Sequence, residues 1–248
     1  MNRLLKCSII FAFLLSACTH YYTPKTTTSS YSELKQIKND SLTVAKIAPY
    51  KKQLDTQMNE VIASCDSSLT KDGMESTLAN FVMQAVEHFS NTHKPELKNK
   101  ILPMVNRGGL RINLPKGEIS VRTIYELMPF DNELVYITIT GTKLQEAVTS
   151  FCENGKLFNA HLSFRIEKNK PMDLKIYNEI WNEKDQYIVL TTDYLANGGD
   201  NLICFNSPMK LETTGIKLRD AIIDYCRYLT KNNQHILPYK DGRITISK

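Results

Sequence analysis

Runs of helical period and runs of strand period follow one another irregularly through residues 41–248, and this ordering constrains the fold more than any other feature of the sequence. A doubly wound parallel sheet requires a steady strand–helix–strand rhythm, which is missing. The pattern therefore predicts an α+β fold, a mixed β-sheet layered with helices. The 42% apolar content over 248 residues supplies enough core for that fold without a disulfide framework.

Along the chain, Leu42, Val44 and Ala45 predict a short strand over Ser41–Ile47. Leu54, Met58, Val61 and Ile62 then predict a helix over Tyr50–Ala63 with one buried face. A second helix is expected over Glu75–His88, with Leu78, Val82, Ala85 and Val86 inward and Ser76 available as a cap. An apolar run over Ile101–Val105 leads to the turn Asn106-Arg107-Gly108-Gly109. After a helix over Val121–Leu127 that stops at Pro129, alternation over Glu133–Thr140 marks a strand, and Leu144, Ala147, Val148 and Phe151 mark a helix. Strands are expected over Leu162–Glu167, Leu174–Tyr177 and Tyr187–Thr192, then a helix over Leu218–Leu229 and a last strand near Ile244.

The first residues, Met-Asn-Arg-Leu-Leu-Lys followed by an apolar run from Cys7 to Leu15, form a basic segment and a core too short to span a bilayer. Residues 1–17 read as a secretory signal peptide. The tetrad Leu15-Ser16-Ala17-Cys18 resembles a bacterial lipobox, which makes Cys18 the expected lipidation site. Residues 18–40, rich in Thr, Ser, Tyr and Lys, read as a lipid-anchored flexible tether, with the folded part over 41–248. The expected location is the bacterial cell envelope, periplasmic or surface-facing, with membrane contact through the lipid alone.

Lys and Arg number 31 against 26 acids, and without Arg3 and Lys6 the excess is 29 over 26. Basic and acidic residues are interspersed, which argues against a nucleic-acid polymer as partner. Beyond the leader and the lipid site four cysteines remain, Cys65, Cys152, Cys204 and Cys226, widely spaced in apolar surroundings. An oxidising compartment permits disulfides there, and buried thiols fit equally.

Three segments offer chemistry. Asn106-Arg107-Gly108-Gly109-Leu110-Arg111 combines two glycines with a guanidinium, which suits an anion; two glycines also make any tight turn. Met128-Pro129-Phe130-Asp131-Asn132 sets a ring on a rigid loop beside an amide that can read a polar edge, unless Phe130 plugs the core. Tyr194-Leu195-Ala196-Asn197-Gly198-Gly199-Asp200 places a ring and a carboxylate after a strand end; the carboxylate can hold a ribose diol or cap the next element.

Taken in order, these three segments resemble the C-terminal domain of bacterial and animal 5'-nucleotidases. So do Glu75-Ser76-Thr77-Leu78-Ala79-Asn80, Gly117-Glu118-Ile119-Ser120, Gly141-Thr142-Lys143-Leu144 and Asp241-Gly242-Arg243-Ile244. The resemblance covers about Ser41–Lys248. It implies that Phe130 and Tyr194 clamp a nucleobase, that Asn132 lies beside the base, that Asp200 holds the ribose hydroxyls and that Arg111 faces the phosphates. Gly155 is implied as a backbone contact. Thr77 and Ala79 depart from the family's Asn and Gly, and only Lys71 stands where some members carry an arginine pair, which points to a nucleoside or monophosphate.

The same resemblance places hydrolysis in a dinuclear-metal phosphoesterase domain with D-x-H and G-N-H-[DE] patterns. His20, His88, His93, His161 and His235 lie in neither pattern, so neither catalytic residue nor metal ligand is expected in this chain. Divalent metals are expected only in a partner phosphatase, a separate metallophosphoesterase chain. Two functions follow: the recognition subunit of a split 5'-nucleotidase, or a stand-alone nucleoside- or nucleotide-binding lipoprotein without a catalytic role.

Overall fold

The computed structural model describes residues 40–247. The expected signal peptide over residues 1–17, the lipid site Cys18 and all but the last residue of the tether lie outside the described residues. The described residues divide into two units between Lys46 and Ile47.

Helix α1 runs Ser41–Met58, opened by Asp40, whose carboxylate accepts the backbone N–H groups of Leu42 and Thr43. This corrects the strand expected over Ser41–Ile47, whereas the helix expected over Tyr50–Ala63 is present as far as Met58 and only its end departs from the expectation. None of the residues in α1 is fully buried, and of its apolar side chains only Met58, at its end, packs in part on the core. Val61 and Ile62 instead belong to β1, Val61–Cys65, where β-branched side chains suit a ladder with Gly117–Ser120.

Helix α2, Thr77–His93, is capped by Ser76, whose hydroxyl accepts the Ala79 N–H at 3.0 Å. Strand β2, Ile101–Asn106, is followed by a one-turn helix over Arg107–Gly109. Then come β3, Gly117–Ser120; α3, Val121–Leu127; β4, Glu133–Thr140; and α4, Gly141–Asn154. Next are β5, Leu157–Asn159; β6, Leu162–Glu167; β7, Lys170–Ile176; and β8, Glu179–Ile180. The chain closes with β9, Gln186–Thr192; α5, Asp193–Ala196; β10, Lys210–Lys217; α6, Leu218–Lys231; and β11, Ile244–Ile246.

The fold is α+β. A five-stranded sheet runs β10-β4-β9-β2-β5, with β9 and β2 parallel and the other neighbours antiparallel. A four-stranded sheet runs β11-β6-β7-β8, and β1 pairs with β3 separately. Alternation along the central strands feeds two cores. Leu134, Tyr136, Ile101, Val105 and Leu190 face α2, α3 and α6, whereas Val135, Ile137, Ile139, Leu102 and Val189 face α4, β6 and β7. Both faces of the sheet are thus covered, which explains why the inner strands β2 and β9 read as nearly continuous apolar runs.

The C-terminal stretch is held by a buried polar cluster. Glu75 accepts the backbone N–H groups of Asp241 and Gly242 at 2.6 and 3.1 Å, and Arg243 donates to Asn80 Oδ1 at 2.6 Å and to the Asn159 carbonyl at 2.8 Å. The Glu75-Ser76 and Asp241-Gly242-Arg243 segments therefore act as fasteners between the start of α2 and the tail. Cys65, Cys152, Cys204 and Cys226 are all buried free thiols.

Candidate functional site

Strand register gathers the site. Leu134 of β4 lies opposite Thr192 of β9 in an antiparallel pair, so the segment entering β4 meets the segment leaving β9. Strand β2 runs parallel to β9, with Pro103 opposite Leu190, so Asn106 and the glycine turn leave at the same edge. The three segments singled out in the sequence thus meet at one end of the sheet.

There they enclose a cavity of about 260 Å³ lined by Asn106, Gly108, Gly109, Arg111, Phe130, Asn132, Tyr194 and Asp200. Phe130 and Tyr194 keep 42% and 43% of their surface exposed. Phe130 therefore does not plug the core, although every methylene buried there would be favourable. Arg111 folds its guanidinium back over the turn, donating to the Gly108 carbonyl at 3.2 Å and lying 5.9 Å from the centre of the Phe130 ring.

Each ring-bearing loop is braced. Arg219, 5% exposed in the first turn of α6, donates to Asp131 Oδ1 at 2.6 Å and to the carbonyls of Met128 and Phe130 at 3.4 Å. Its hydrogen bond, then that of Lys217, holds the Asp131 carboxyl below the usual carboxylate range. Leu218 N–H donates to the Asn132 carbonyl at 2.9 Å. On the other side, Asp193 accepts the N–H groups of Glu133 and Tyr194 at 3.1 and 2.7 Å, tying the entry of β4 to the start of α5.

Tyr194 and Asp200 are joined twice. The phenol donates to Asp200 Oδ1 at 3.0 Å and accepts the Asp200 backbone N–H at 3.1 Å. Asn106, 6% exposed, donates from Nδ2 to Asp200 Oδ2 at 3.0 Å. A Cβ on Gly109 would stand 2.9 Å from Asn106 Oδ1, so a glycine is required for the turn to close on this amide.

Of the six residues that the resemblance implies for binding, Arg111, Phe130, Asn132, Tyr194 and Asp200 line the cavity. Gly155 is not among its lining residues. It sits at φ 64° as the left-handed cap that ends α4, where its N–H donates to the Phe151 carbonyl. Sequence reasoning missed the supporting roles of Asn106, Asp193 and Arg219. Arg219 carried a signal, since a charge one turn from Ile223 and two from Cys226 interrupts the buried stripe of α6.

Among the described residues, no group of three or more His, Cys, Asp or Glu side chains is placed to hold a metal ion. The described histidines are engaged otherwise. His88 lies on Tyr228 at 4.2 Å, His93 accompanies Phe89, His161 approaches Glu87 at 3.1 Å and His235 meets Asp66 at 2.9 Å. No described helix is long and apolar enough to cross a membrane.

The sequence pattern of "5'-nucleotidase, C-terminal domain" matches residues 56–207, more than half of the chain. The chain belongs to the 5'-nucleotidase C-terminal domain family. It is 26% identical over 222 residues to the trifunctional nucleotide phosphoesterase protein YfkN of Bacillus subtilis, covering 79% of this chain and 14% of that protein. It is 22% identical over 195 residues to a 5'-nucleotidase of Vibrio parahaemolyticus, covering 77% and 34%. In structure it resembles a 5'-nucleotidase precursor from Thermus thermophilus, with TM-score 0.68, 21% identity and coverage of 83% of this chain and 43% of that one. The chain thus spans a minor part of the length of these relatives, and the fold is that of the family's C-terminal domain.

Proposed function

We propose that this chain is the nucleoside- or nucleotide-recognition subunit of a split 5'-nucleotidase. Hydrolysis of the phosphate ester is then supplied by a separate dinuclear-metal phosphatase. One observation carries the proposal: Phe130, Asn132, Tyr194, Asp200 and Arg111 come from three distant segments and line one cavity with both rings accessible. In this reading Phe130 and Tyr194 stack on the base, Asn132 reads its edge, Asp200 takes the ribose hydroxyls and Arg111 faces the phosphate. The leader and Cys18 support a lipid anchor that holds the domain at the cell envelope.

The test pairs binding with turnover. Calorimetry of the full chain with adenosine and AMP is expected to show binding that Phe130→Ala weakens. Base–aromatic stacking amounts to about 1–3 kcal/mol, or about 5- to 150-fold in affinity. With Mn²⁺ the chain alone is expected to leave AMP intact, and a separately purified secreted metallophosphatase is expected to hydrolyse it with base preference only when this chain is added. Tight binding with no gain in hydrolysis from any candidate phosphatase supports the stand-alone binder instead. No binding of either ligand overturns both readings.

A further inference from the structure

The Tyr194 hydroxyl does something that ring stacking does not require. It closes a ring of hydrogen bonds with Asp200, donating to Oδ1 at 3.0 Å while accepting the backbone N–H of the same residue at 3.1 Å. Asp200 sits in the left-handed region, at φ 54° and ψ 22°, a conformation uncommon for a non-glycine residue and one that gains from hydrogen-bond support. The phenol supplies that support, and Asn106 holds the other carboxylate oxygen at 3.0 Å.

A carboxylate offers about four acceptor positions, two on each oxygen. Tyr194 occupies one on Oδ1 and Asn106 occupies one on Oδ2. What remains is one position on each oxygen, in an orientation fixed from both sides and beside a cavity with an accessible ring. Two adjacent acceptors held at the width of a carboxylate match two adjacent hydroxyl donors. A fixed acceptor pair also avoids the ordering cost that a free side chain would incur on binding.

Resting on the nucleoside reading above, we infer that the Tyr194 hydroxyl is a specificity-determining group. By bracing Asp200 it lets the carboxylate take both hydroxyls of a vicinal diol, and so selects ribonucleosides over their deoxy analogues. Tyr194 then has two separable roles: its ring serves the base, and its oxygen serves the sugar through Asp200.

Tyr194→Phe separates the two. Calorimetry on the full chain would compare adenosine with 2′,3′-dideoxyadenosine for the unmodified protein and this variant. Hydrogen bonds to a charged group set the expected scale: the unmodified protein prefers adenosine by about tenfold or more, and Y194F reduces that preference to about twofold. A Y194F protein that keeps the full preference overturns the proposal, as does an unmodified protein with no preference. Asp200→Asn keeps the shape but spoils one acceptor oxygen; it is expected to lose the same preference, and its retention overturns the proposal whatever Y194F does. If the unmodified protein binds neither nucleoside, the nucleoside reading itself fails and this inference falls with it.

Discussion

Gly199 lies so close to Tyr194 that a Cβ placed on it would stand 2.4 Å from the ring. That approach confines a ring that also lines the cavity, so a glycine with no side chain sets the position of an exposed aromatic. Gly199→Ala must push the ring aside, since no carbon can remain at that distance. Because Tyr194 is half-exposed, the displacement is expected to lower adenosine affinity about tenfold while the thermal midpoint moves by only a few degrees. Unchanged affinity measured by calorimetry would show that the ring position does not matter to binding.

Arg219 holds the Phe130 loop through one carboxylate and two carbonyls, and its substitution should be felt at the cavity about as much as in stability. Arg219→Gln is expected to cost about 1–3 kcal/mol in denaturant unfolding and to weaken adenosine binding several-fold. Loss of stability with wild-type affinity would mean that the loop keeps its shape without the guanidinium.

Burial pushes the His88 imidazole below its ordinary value of 6.5; the nearby Asp224 opposes this shift and His93 adds to it. The ring packs on Tyr228 at 4.2 Å and Tyr225 at 5.3 Å. Because the folded value lies below the unfolded one, the unfolded chain binds the proton more readily in acid. The stability contributed by neutral His88 is complete above 6.5 and declines as the pH falls through the folded value. Thermal midpoints measured between about pH 7.5 and 5.5 should therefore fall less for His88→Asn than for the unmodified protein. Parallel curves for the two proteins would exclude His88 as the titrating group.

The four described cysteines should be inert while folded. Burial pushes the Cys152 and Cys204 thiols up to about 11 and the Cys226 thiol up to about 12, and raises Cys65 as well. At about pH 8 iodoacetamide is expected to leave these four unmodified in the native chain and to alkylate all four after unfolding. Mass spectrometry that finds native labelling, or a disulfide among them, would contradict the buried-thiol arrangement.

The elements legible in sequence are those whose local pattern and tertiary surroundings agree. Val121–Leu127 carries its own reciprocal cap from Ser120 and Thr123, and Glu133–Thr140 alternates between two cores, so both have the boundaries that periodicity predicts. Strand β10 escaped prediction because it is an edge strand with Lys210, Glu212, Gly215 and Lys217 on it and little buried surface. The start of α1, Ser41–Ile47, was misread as a strand because an exposed helix imposes no apolar period. In the same way, motif order pointed to five of the residues that line the cavity, whereas Gly155, taken from a loosely matching loop, proved to be a helix cap.

By itself the sequence determined the α+β class, most of the central elements, the family and the residue types available for a base and a sugar, because each is written in local spacing or in motif order. Tertiary structure decided where those residues stand. The contacts of Asn106 with Asp200, Arg219 with Asp131 and Asp193 with Glu133 link positions 94, 88 and 60 residues apart. Those separations are closed by strand register and helix packing, which a pattern confined to neighbouring residues does not encode.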